Sequence, residues 1–158
     1  MKFADFVCAD AIQSELASRD KPSVIRELVA GLVKAGSVAT TELEGIVSAI
    51  MKREELGSTG IGRGIAVPHT KHASVDKLVG TVGVCGEGLD FDSLDGERVH
   101  LFFLLISPPD RPGDHLRALE NISRQLRNDQ FCRVLRQAKS PVDIQRLLEE
   151  ADKNQFQS

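Results

Sequence analysis

The apolar run Val99–Ile106 is the sequence feature that most constrains the fold of this chain. Of its side chains, only that of His100 is polar. A nearly continuous apolar run of this length is typical of a β-strand that is covered on both faces. The run is far too short to cross a lipid bilayer. We therefore expect a central strand in a sheet whose two faces are both packed against helices.

Helical periodicity upstream of this run predicts two of the helices that such a sheet needs. Residues 22–35 carry apolar side chains on one helical stripe, with Pro22 in the first turn and a glycine just after the end. A second helix is predicted at about 41–55. Thr41 and, three residues later, Glu44 are expected to form a capping box at its start.

The last third of the chain is predicted to be helical as well. The segment 107–113 is rich in proline and glycine and is expected to be a loop. The helix after it is expected to take Asp114 as its N-cap, and the final helix is expected to begin at Ser140. The residues predicted to face inward from these helices are Leu116, Leu119, Ile122, Leu126, Phe131, Val134, Leu135, Ala138, Ile144, Leu147 and Leu148.

Two further strands and the order of the elements complete the predicted architecture. Ile65–Val67 is expected to be a buried strand, and Val79–Cys85 is rich in β-branched residues. Helices both before and after the strands predict a single-domain α/β sandwich with helices on both faces of a small sheet. The domain is expected to span residues 1–152, followed by a frayed tail at 153–158.

Charge, aromatic content and cysteines limit the functional classes that remain open. The 158 residues carry a formal net charge of −3, seven Phe and no Trp or Tyr, which argues against a nucleic-acid-binding surface. The three cysteines form no CxxC pair, so neither a disulfide framework nor a zinc ribbon is supported. Since the sequence has no recognisable signal segment or membrane span, we expect a cytoplasmic protein without direct membrane insertion.

The run Gly60–His69 contains the strongest candidate for a reactive group. Three glycines leave its backbone open to a close approach, and Val67 must be extended because Pro68 follows it. His69 is therefore expected at the tip of the buried strand, where the strand meets solvent. Because an imidazole is neutral and nucleophilic for much of the time near pH 7, His69 is a candidate nucleophile.

Two other side chains could complete a site around His69. His115 lies in the first turn of the helix after the proline-rich loop, and Arg53 lies at the end of the second helix. Two imidazoles and a guanidinium near a helix start suit phosphoryl transfer. One imidazole attacks phosphorus, and the other two groups stabilise the phosphoryl oxygens. The sequence alone does not show that the three residues meet in space.

Two other interpretations of this region are weaker. The glycines of Thr59–Gly64 superficially resemble a dinucleotide-binding fingerprint, but a helix precedes them and a strand follows, which reverses the required context. His69 and His72 have the spacing of two metal ligands on a helix, but Pro68 argues against a helix there, and no Cys or carboxylate cluster completes the set. We therefore expect no cofactor and no metal, and we expect Arg63 to contact a partner or water.

The segment Arg53–His69 resembles the active-site signature of type-2 EIIA domains of the bacterial phosphoenolpyruvate-dependent phosphotransferase system. The resemblance is to the fructose/mannitol class, and most closely to its nitrogen-regulatory EIIA-like branch. It extends from the first helix to about Glu150, and it includes the helix start at His115 and the segment Cys132–Arg136. It implies a mixed β-sheet flanked by helices.

The resemblance also implies a role for each candidate residue. His69 would accept a phosphoryl group on Nε2 from the phosphocarrier HPr, or from a nitrogen-branch equivalent, and pass it to an EIIB partner. His115 would be the second active-site histidine, and Arg53 would stabilise the phosphate. The alternative is a regulatory EIIA-like protein that signals its phosphorylation state to a target protein without sugar transport. The residues predicted to form an apolar rim for a docking protein are Ile61, Ile65 and Pro108–Pro112.

Overall fold

A computed structural model describes residues 1–156 of the chain. Its elements follow the predicted order, with two short strands, β1 and β3, that were not predicted. The helices are α1 (Lys21–Lys34), α2 (Leu43–Glu55), α3 (Pro112–Leu126), α4 (Asp129–Gln137) and α5 (Pro141–Asp152). The strands are β1 (Gly60–Gly62), β2 (Ile65–Ala66), β3 (His69–Lys71), β4 (Val79–Leu89) and β5 (Val99–Ser107). None of the helices within residues 1–156 has the length and apolar character needed to cross a membrane.

β5 is the central strand of a mixed sheet, as the apolar run predicted. Along one edge it pairs in parallel with β2 and β3, and along the other it pairs with β4 in antiparallel fashion. β1 extends the sheet as an antiparallel partner of β2. Every residue of β5 from Leu101 to Ser107 is buried, so this strand is covered on both faces.

Alternate residues of β5 pack against different helical layers. Phe102 and Leu104 belong to the core formed with α1 and α2, whereas Leu101 and Phe103 belong to the core formed with α3, α4 and α5. This alternation follows from the period of two residues along a strand. The predicted single-domain α/β sandwich with helices on both faces is therefore confirmed.

The start of α2 differs from the prediction. Thr41 lies in a 3₁₀ turn, Thr40–Glu42, and the N-cap of the helix is Glu42, whose side chain makes no capping hydrogen bond. The Glu44 carboxylate pairs with the guanidinium of Arg26 on α1. The predicted capping box is wrong because Glu44 has a charged partner on the neighbouring helix.

The start of α3 also differs from the prediction. The helix begins at Pro112, so the predicted loop 107–113 ends earlier than expected and Asp114 is not the N-cap. The Asp114 carboxylate instead pairs with Arg117 one turn further along. Leu116, which was predicted to face inward, is 66% exposed. The buried face of α3 is formed instead by residues such as His115, Ala118 and Ile122.

Other predicted helix ends are confirmed. Pro22 lies in the first turn of α1, and Gly36 follows that helix with a φ of +83°, a left-handed conformation that glycine adopts without strain. At the start of α5, the Ser140 hydroxyl oxygen accepts a hydrogen bond from the backbone N–H of Asp143. These caps mark the ends of two helices on opposite faces of the sheet.

The predicted tail at 153–158 falls partly outside the described residues, since 157–158 are not among them. In the described part, the ring centroid of Phe156 lies 5.2 Å from that of Phe131 in α4. The Asn128 side-chain amide also donates a hydrogen bond to the carbonyl oxygen of Phe156. The chain therefore packs against the start of α4 as far as Phe156.

Candidate functional site

His69 lies where the chain leaves β2 and begins β3. β2 ends at Ala66, so His69 does not end that strand as predicted, but begins the next one. The reason is Pro68, which has no N–H to continue the ladder of hydrogen bonds. The backbone nevertheless stays extended, and His69 pairs with Leu105 of β5. The imidazole therefore projects from a fixed position beside the central strand.

The tautomer of His69 is set by its own backbone. Its Nδ1 lies 2.7 Å from the carbonyl oxygen of Val67. Because a carbonyl oxygen only accepts hydrogen bonds, Nδ1 carries the proton, and Nε2 of the neutral ring keeps its lone pair. Burial lowers the pKa of His69, as does the charge of Arg53, while the Val67 hydrogen bond and Glu54 oppose this effect. The neutral ring is thereby favoured.

His115 lies in the first turn of α3, next to His69. The centroids of the two imidazole rings are 5.6 Å apart. His115 is only 6% exposed, and its Nδ1 is hydrogen-bonded to the hydroxyl of Ser107, the last residue of β5. Burial lowers the pKa of His115 to about 4, with smaller contributions from the charges of His69 and Lys71. His115 is therefore neutral near pH 7.

Arg53 lies in the last turn of α2, as predicted. Its Nη1 donates a hydrogen bond to the carbonyl oxygen of Gly57, at 3.1 Å, which bends the side chain back over the loop that leads to β1. Its positive charge acts on His69, where it lowers the pKa. The structure thus brings the two histidines into contact and places the guanidinium of Arg53 within electrostatic reach of His69.

Sequence reasoning missed the role of Glu54 beside this site. It assigned no role to Glu54, which is only 6% exposed. Its carboxylate accepts hydrogen bonds from the backbone N–H and the hydroxyl of Thr59 and forms an ion pair of 2.9 Å with Lys21. Because Glu54 follows the buried Ile50 by four residues, helical spacing alone could have placed it on the buried face.

Ser107 was missed as well. It is the first polar residue after the apolar run of β5 and is fully buried. Its position at the end of a central strand, just before the proline-rich segment, is a signal that the sequence does carry. Its hydroxyl can either donate or accept, so the pairing with Nδ1 of His115 allows either tautomer of that ring.

The predicted apolar rim requires two corrections, because Pro108 is buried as well as Ile65, whereas residues 109–112 are exposed. Ile65 is fully buried in the core and cannot contact a docking protein, because it lies on the face of β2 that packs against α3, α4 and α5. Ile61 of β1 is 48% exposed. Leu116, adjacent to His115, and Leu56, three residues after Arg53, are exposed as well. Exposed apolar side chains therefore lie next to both the α2 and the α3 parts of the site.

Comparisons with known proteins show which proteins this chain is similar to in sequence and in fold. A nitrogen regulatory protein of Bradyrhizobium diazoefficiens is 33% identical over 148 residues, covering 94% of this chain and 95% of that protein. The fructose-specific EIIABC component of the phosphotransferase system of Bacillus subtilis is 35% identical over 153 residues, covering 97% of this chain but 24% of that protein. The crystal structure of the nitrogen regulatory protein IIA-Ntr of Neisseria meningitidis superposes with a TM-score of 0.82 at 26% identity, covering 92% of this chain and 98% of that one.

A match to a protein family covers nearly the whole of the described structure. The family is described as the phosphoenolpyruvate-dependent sugar phosphotransferase system, EIIA 2, and its sequence model matches residues 5–151. That span ends one residue before the end of α5 and includes His69, His115 and Arg53. The chain therefore belongs to the EIIA 2 family of the phosphoenolpyruvate-dependent sugar phosphotransferase system.

Proposed function

We propose that this chain is a phosphoryl carrier of the cytoplasm in which Nε2 of His69 is the acceptor atom. The phosphoryl group would come from an HPr-type phosphocarrier, or from its nitrogen-branch equivalent, and would pass to an EIIB partner. The observation that carries this proposal is the pairing of His69 Nδ1 with the Val67 carbonyl oxygen beside a second, neutral imidazole. This arrangement leaves one nitrogen of His69 free to act as a nucleophile.

In the accepting step, the lone pair of His69 Nε2 attacks the phosphorus atom of the donor's phosphohistidine. A new P–N bond forms as the donor's P–N bond breaks, and the electron pair of the broken bond leaves with the donor imidazole. The proton of the His69 ring stays on Nδ1 throughout, in the hydrogen bond to the Val67 carbonyl oxygen. The lowered pKa of His69 supports this step, because only the neutral ring has the lone pair.

His115 and Arg53 are proposed to stabilise the charge on the transferred group. With the Ser107 hydroxyl donating to Nδ1 of His115, the proton of that neutral ring is on Nε2, which can then donate to a phosphoryl oxygen. The Arg53 guanidinium, which donates a hydrogen bond to the Gly57 carbonyl, supplies positive charge near His69. The exposed side chains of Leu56, Ile61 and Leu116 are proposed docking contacts for the partner proteins.

A second candidate function is regulatory. It is supported by the Bradyrhizobium relative, which is named a nitrogen regulatory protein and matches over 94% of this chain. In this case the same His69 would be phosphorylated, but the phosphorylation state would control binding to a target protein. A phosphoryl group adds about −1.5 to −2 charge at pH 7, which is large beside the net charge of −3 of the chain.

Phosphoryl transfer in a purified system tests the proposal. The chain is incubated with labelled phosphoenolpyruvate, enzyme I and HPr, and we expect acid-labile label on the wild-type protein and none on H69A. H72Q is the matched control, because His72 lies three residues away and pairs with the Ser74 hydroxyl rather than with the site. Label that persists on H69A would contradict the assignment of the acceptor.

The same labelled protein separates the two candidate functions. Transfer of the label to a purified fructose-type EIIB supports the relay function. Retention of the label in the presence of EIIB, together with a target protein that binds only one of the two phosphorylation states, supports the regulatory function. Both outcomes leave His69 as the acceptor, so the assignment of the site is tested independently of the assignment of the partner.

A further inference from the structure

A second concave site lies at the opposite end of the central strand from His115. It is a cavity of about 390 Å³, within the size range of small-molecule sites. β5 passes this cavity at His100 and reaches the histidine pair at Ser107, and seven residues of a strand span about 23 Å. The lining residues that matter here are Arg63, His100, Asp129, Cys132, Arg133 and Arg136.

The cavity is cationic although the chain as a whole is acidic. Three guanidinium groups and only one carboxylate, that of Asp129, line it, whereas the formal net charge of the chain is −3. That carboxylate is already paired with Arg63, at 2.7 Å. Within residues 1–156, neither Arg133 nor Arg136 forms an ion pair with any carboxylate. Two guanidinium groups at this cavity are therefore not neutralised by the protein.

The rim of the cavity at Arg63 is held in place by several contacts. Arg63 has a φ of +58°, a left-handed conformation that is uncommon for a residue with a side chain. Its guanidinium donates to Asp129 and to the carbonyl oxygen of Leu126, and its backbone N–H donates to Asp95. Arg63 therefore joins the β1–β2 hairpin to the junction of α3 and α4, and its half-exposed side chain still leaves the predicted contact with a partner or water open.

The opposite wall of the cavity contains the imidazole of His100, and Gly64, which has no side chain, lies beside it. Nδ1 of His100 is hydrogen-bonded to the carbonyl oxygen of Cys85, at 3.1 Å. A Cβ atom at Gly64 would lie 3.4 Å from Cδ2 of His100 and 3.5 Å from Nη1 of Arg136. The imidazole and the guanidinium therefore converge on space that the glycine leaves open.

The guanidinium groups also act on the buried floor of the cavity. Burial raises the pKa of the Cys132 thiol, and the charges of Arg63 and Arg136 oppose this rise. The thiol donates a hydrogen bond to the carbonyl oxygen of Leu126, at 3.2 Å. The charges of Arg63 and Arg136 thus reach the thiol inside the cavity, as does the opposing charge of Asp129.

We propose that this cavity binds a small oxyanionic metabolite, either a phosphate ester or a polycarboxylate, through Arg133 and Arg136. Planar guanidinium groups bind phosphate and carboxylate oxygens through paired hydrogen bonds. The cavity is of a size for a small molecule and lies at the far end of β5 from His69. The proposal is therefore independent of the phosphoryl relay and goes beyond it.

Calorimetric titration at about 0.15 M ionic strength, where loose surface attraction is screened, tests the proposal. The probes are ribose 5-phosphate, citrate and, as the neutral control, ribose. We expect saturable binding of ribose 5-phosphate or of citrate at least about tenfold tighter than that of ribose. The anion that binds more tightly identifies which of the two ligand classes the cavity prefers.

Two double variants with equal changes in net charge locate the binding. R133Q/R136Q is expected to weaken anion binding by about tenfold or more. R26Q/R146Q is the matched control and should bind as the wild type does. Arg26 is paired with Glu44 on α2 and Arg146 with Asp143 on its own helix, and neither arginine lines the cavity. H69A should also bind as the wild type does.

Either of two results would overturn the proposal. One is that both anions bind no more tightly than ribose. The other is that R133Q/R136Q and R26Q/R146Q affect anion binding equally, which would assign the binding to net charge alone. Neither result would affect the labelling of His69, so failure of this proposal is distinguishable from failure of the phosphoryl relay.

Discussion

The two imidazoles of the site differ in how the protein holds their protons. Nδ1 of His69 is bonded to a carbonyl oxygen, which can only accept, whereas Nδ1 of His115 is bonded to the Ser107 hydroxyl, which can do either. His115 is also the more deeply buried of the two. At the scale of single residues, the site therefore combines one fixed tautomer with one that a hydroxyl rotation can change.

We expect the free energy of unfolding to fall as the pH decreases from about 6.5 to about 4. The pKa of buried His115 is lowered to about 4 from its ordinary value of 6.5. Between these values the unfolded chain binds a proton that the folded protein does not, so stability present above pH 6.5 is lost as the pH falls through the folded pKa. The loss from His115 is at most about 3 kcal/mol, and urea denaturation at stepped pH measures it.

Two variants assign this pH dependence. H115Q removes the titrating group and should show a shallower fall in stability over the same pH range. Part of the fall should remain, because the pKa of His69 is lowered as well. H72Q is compared in parallel as a replacement of a histidine outside the site, since His72 pairs with the Ser74 hydroxyl. Equal slopes for the wild type and H115Q would contradict the inferred protonation state of His115.

At the scale of elements, β4 shows how the free edge of the sheet is covered. The N-terminal segment runs along β4, with backbone hydrogen bonds from Gly80 N–H to the Phe6 carbonyl and from Cys8 N–H to the Gly80 carbonyl. A second bridge joins Gln13 to Gly83. An edge that is paired in this way is protected from pairing with other chains. The close approach requires glycine at those points of β4.

Alanine at Gly80 is expected to destabilise the protein by about 2 kcal/mol. A Cβ atom there would lie 2.7 Å from the carbonyl oxygen of Leu104 and 3.1 Å from the Phe6 ring, so the backbone would have to shift. G86A is the matched control on the same strand, because a Cβ at Gly86 would meet no atom within 4 Å. Urea denaturation of both variants checks this prediction, and equal stabilities would contradict the packing of the N-terminal segment.

The elements that could be predicted from the sequence are those with long patterns. The apolar run of β5 extends from Val99 to Ile106, and the apolar stripes of the five helices each extend over two helical turns or more. Patterns of this length can be recognised in a sequence. β1 and β3 have three residues each, too few for a period to be recognised. Predicted helix ends were wrong where a contact with another element decided them. The ion pair between Arg26 and Glu44 did so at the start of α2. Of the candidate site, the motif marked His69. The positions of Glu54 and Ser107 gave signals of burial, but their hydrogen-bond partners Thr59 and His115 became evident only from the fold.

At the scale of the whole molecule, the two ends of the domain are joined. The Asp152 carboxylate, at the end of α5, accepts hydrogen bonds from the backbone N–H groups of Phe3 and Ala4, at 2.8 and 3.0 Å. Phe3 itself is fully buried and its ring packs 5.6 Å from that of Phe103 in the central strand. The first and last parts of the domain thus close the same face of the sandwich.

Replacement of Asp152 should therefore lower the stability of the whole domain. We expect D152N to reduce the free energy of unfolding by about 1–2 kcal/mol, because the amide offers a single accepting oxygen to two N–H donors. E149Q is the control, since Glu149 is an exposed carboxylate on the same helix. Midpoints of thermal unfolding that are equal for the two variants would contradict this role of Asp152.

The bond between the His69 ring and the Val67 carbonyl has an evolutionary consequence. Its acceptor belongs to the main chain only two residues away, so no exchange of a neighbouring side chain can delete it. Under the proposed function, the surface around the ring could change to suit new partners while the phosphoryl group still attaches to Nε2 of His69. The nitrogen that remains unprotonated is thus determined by the path of the main chain, whereas the choice of partner protein depends on surface side chains that can be exchanged.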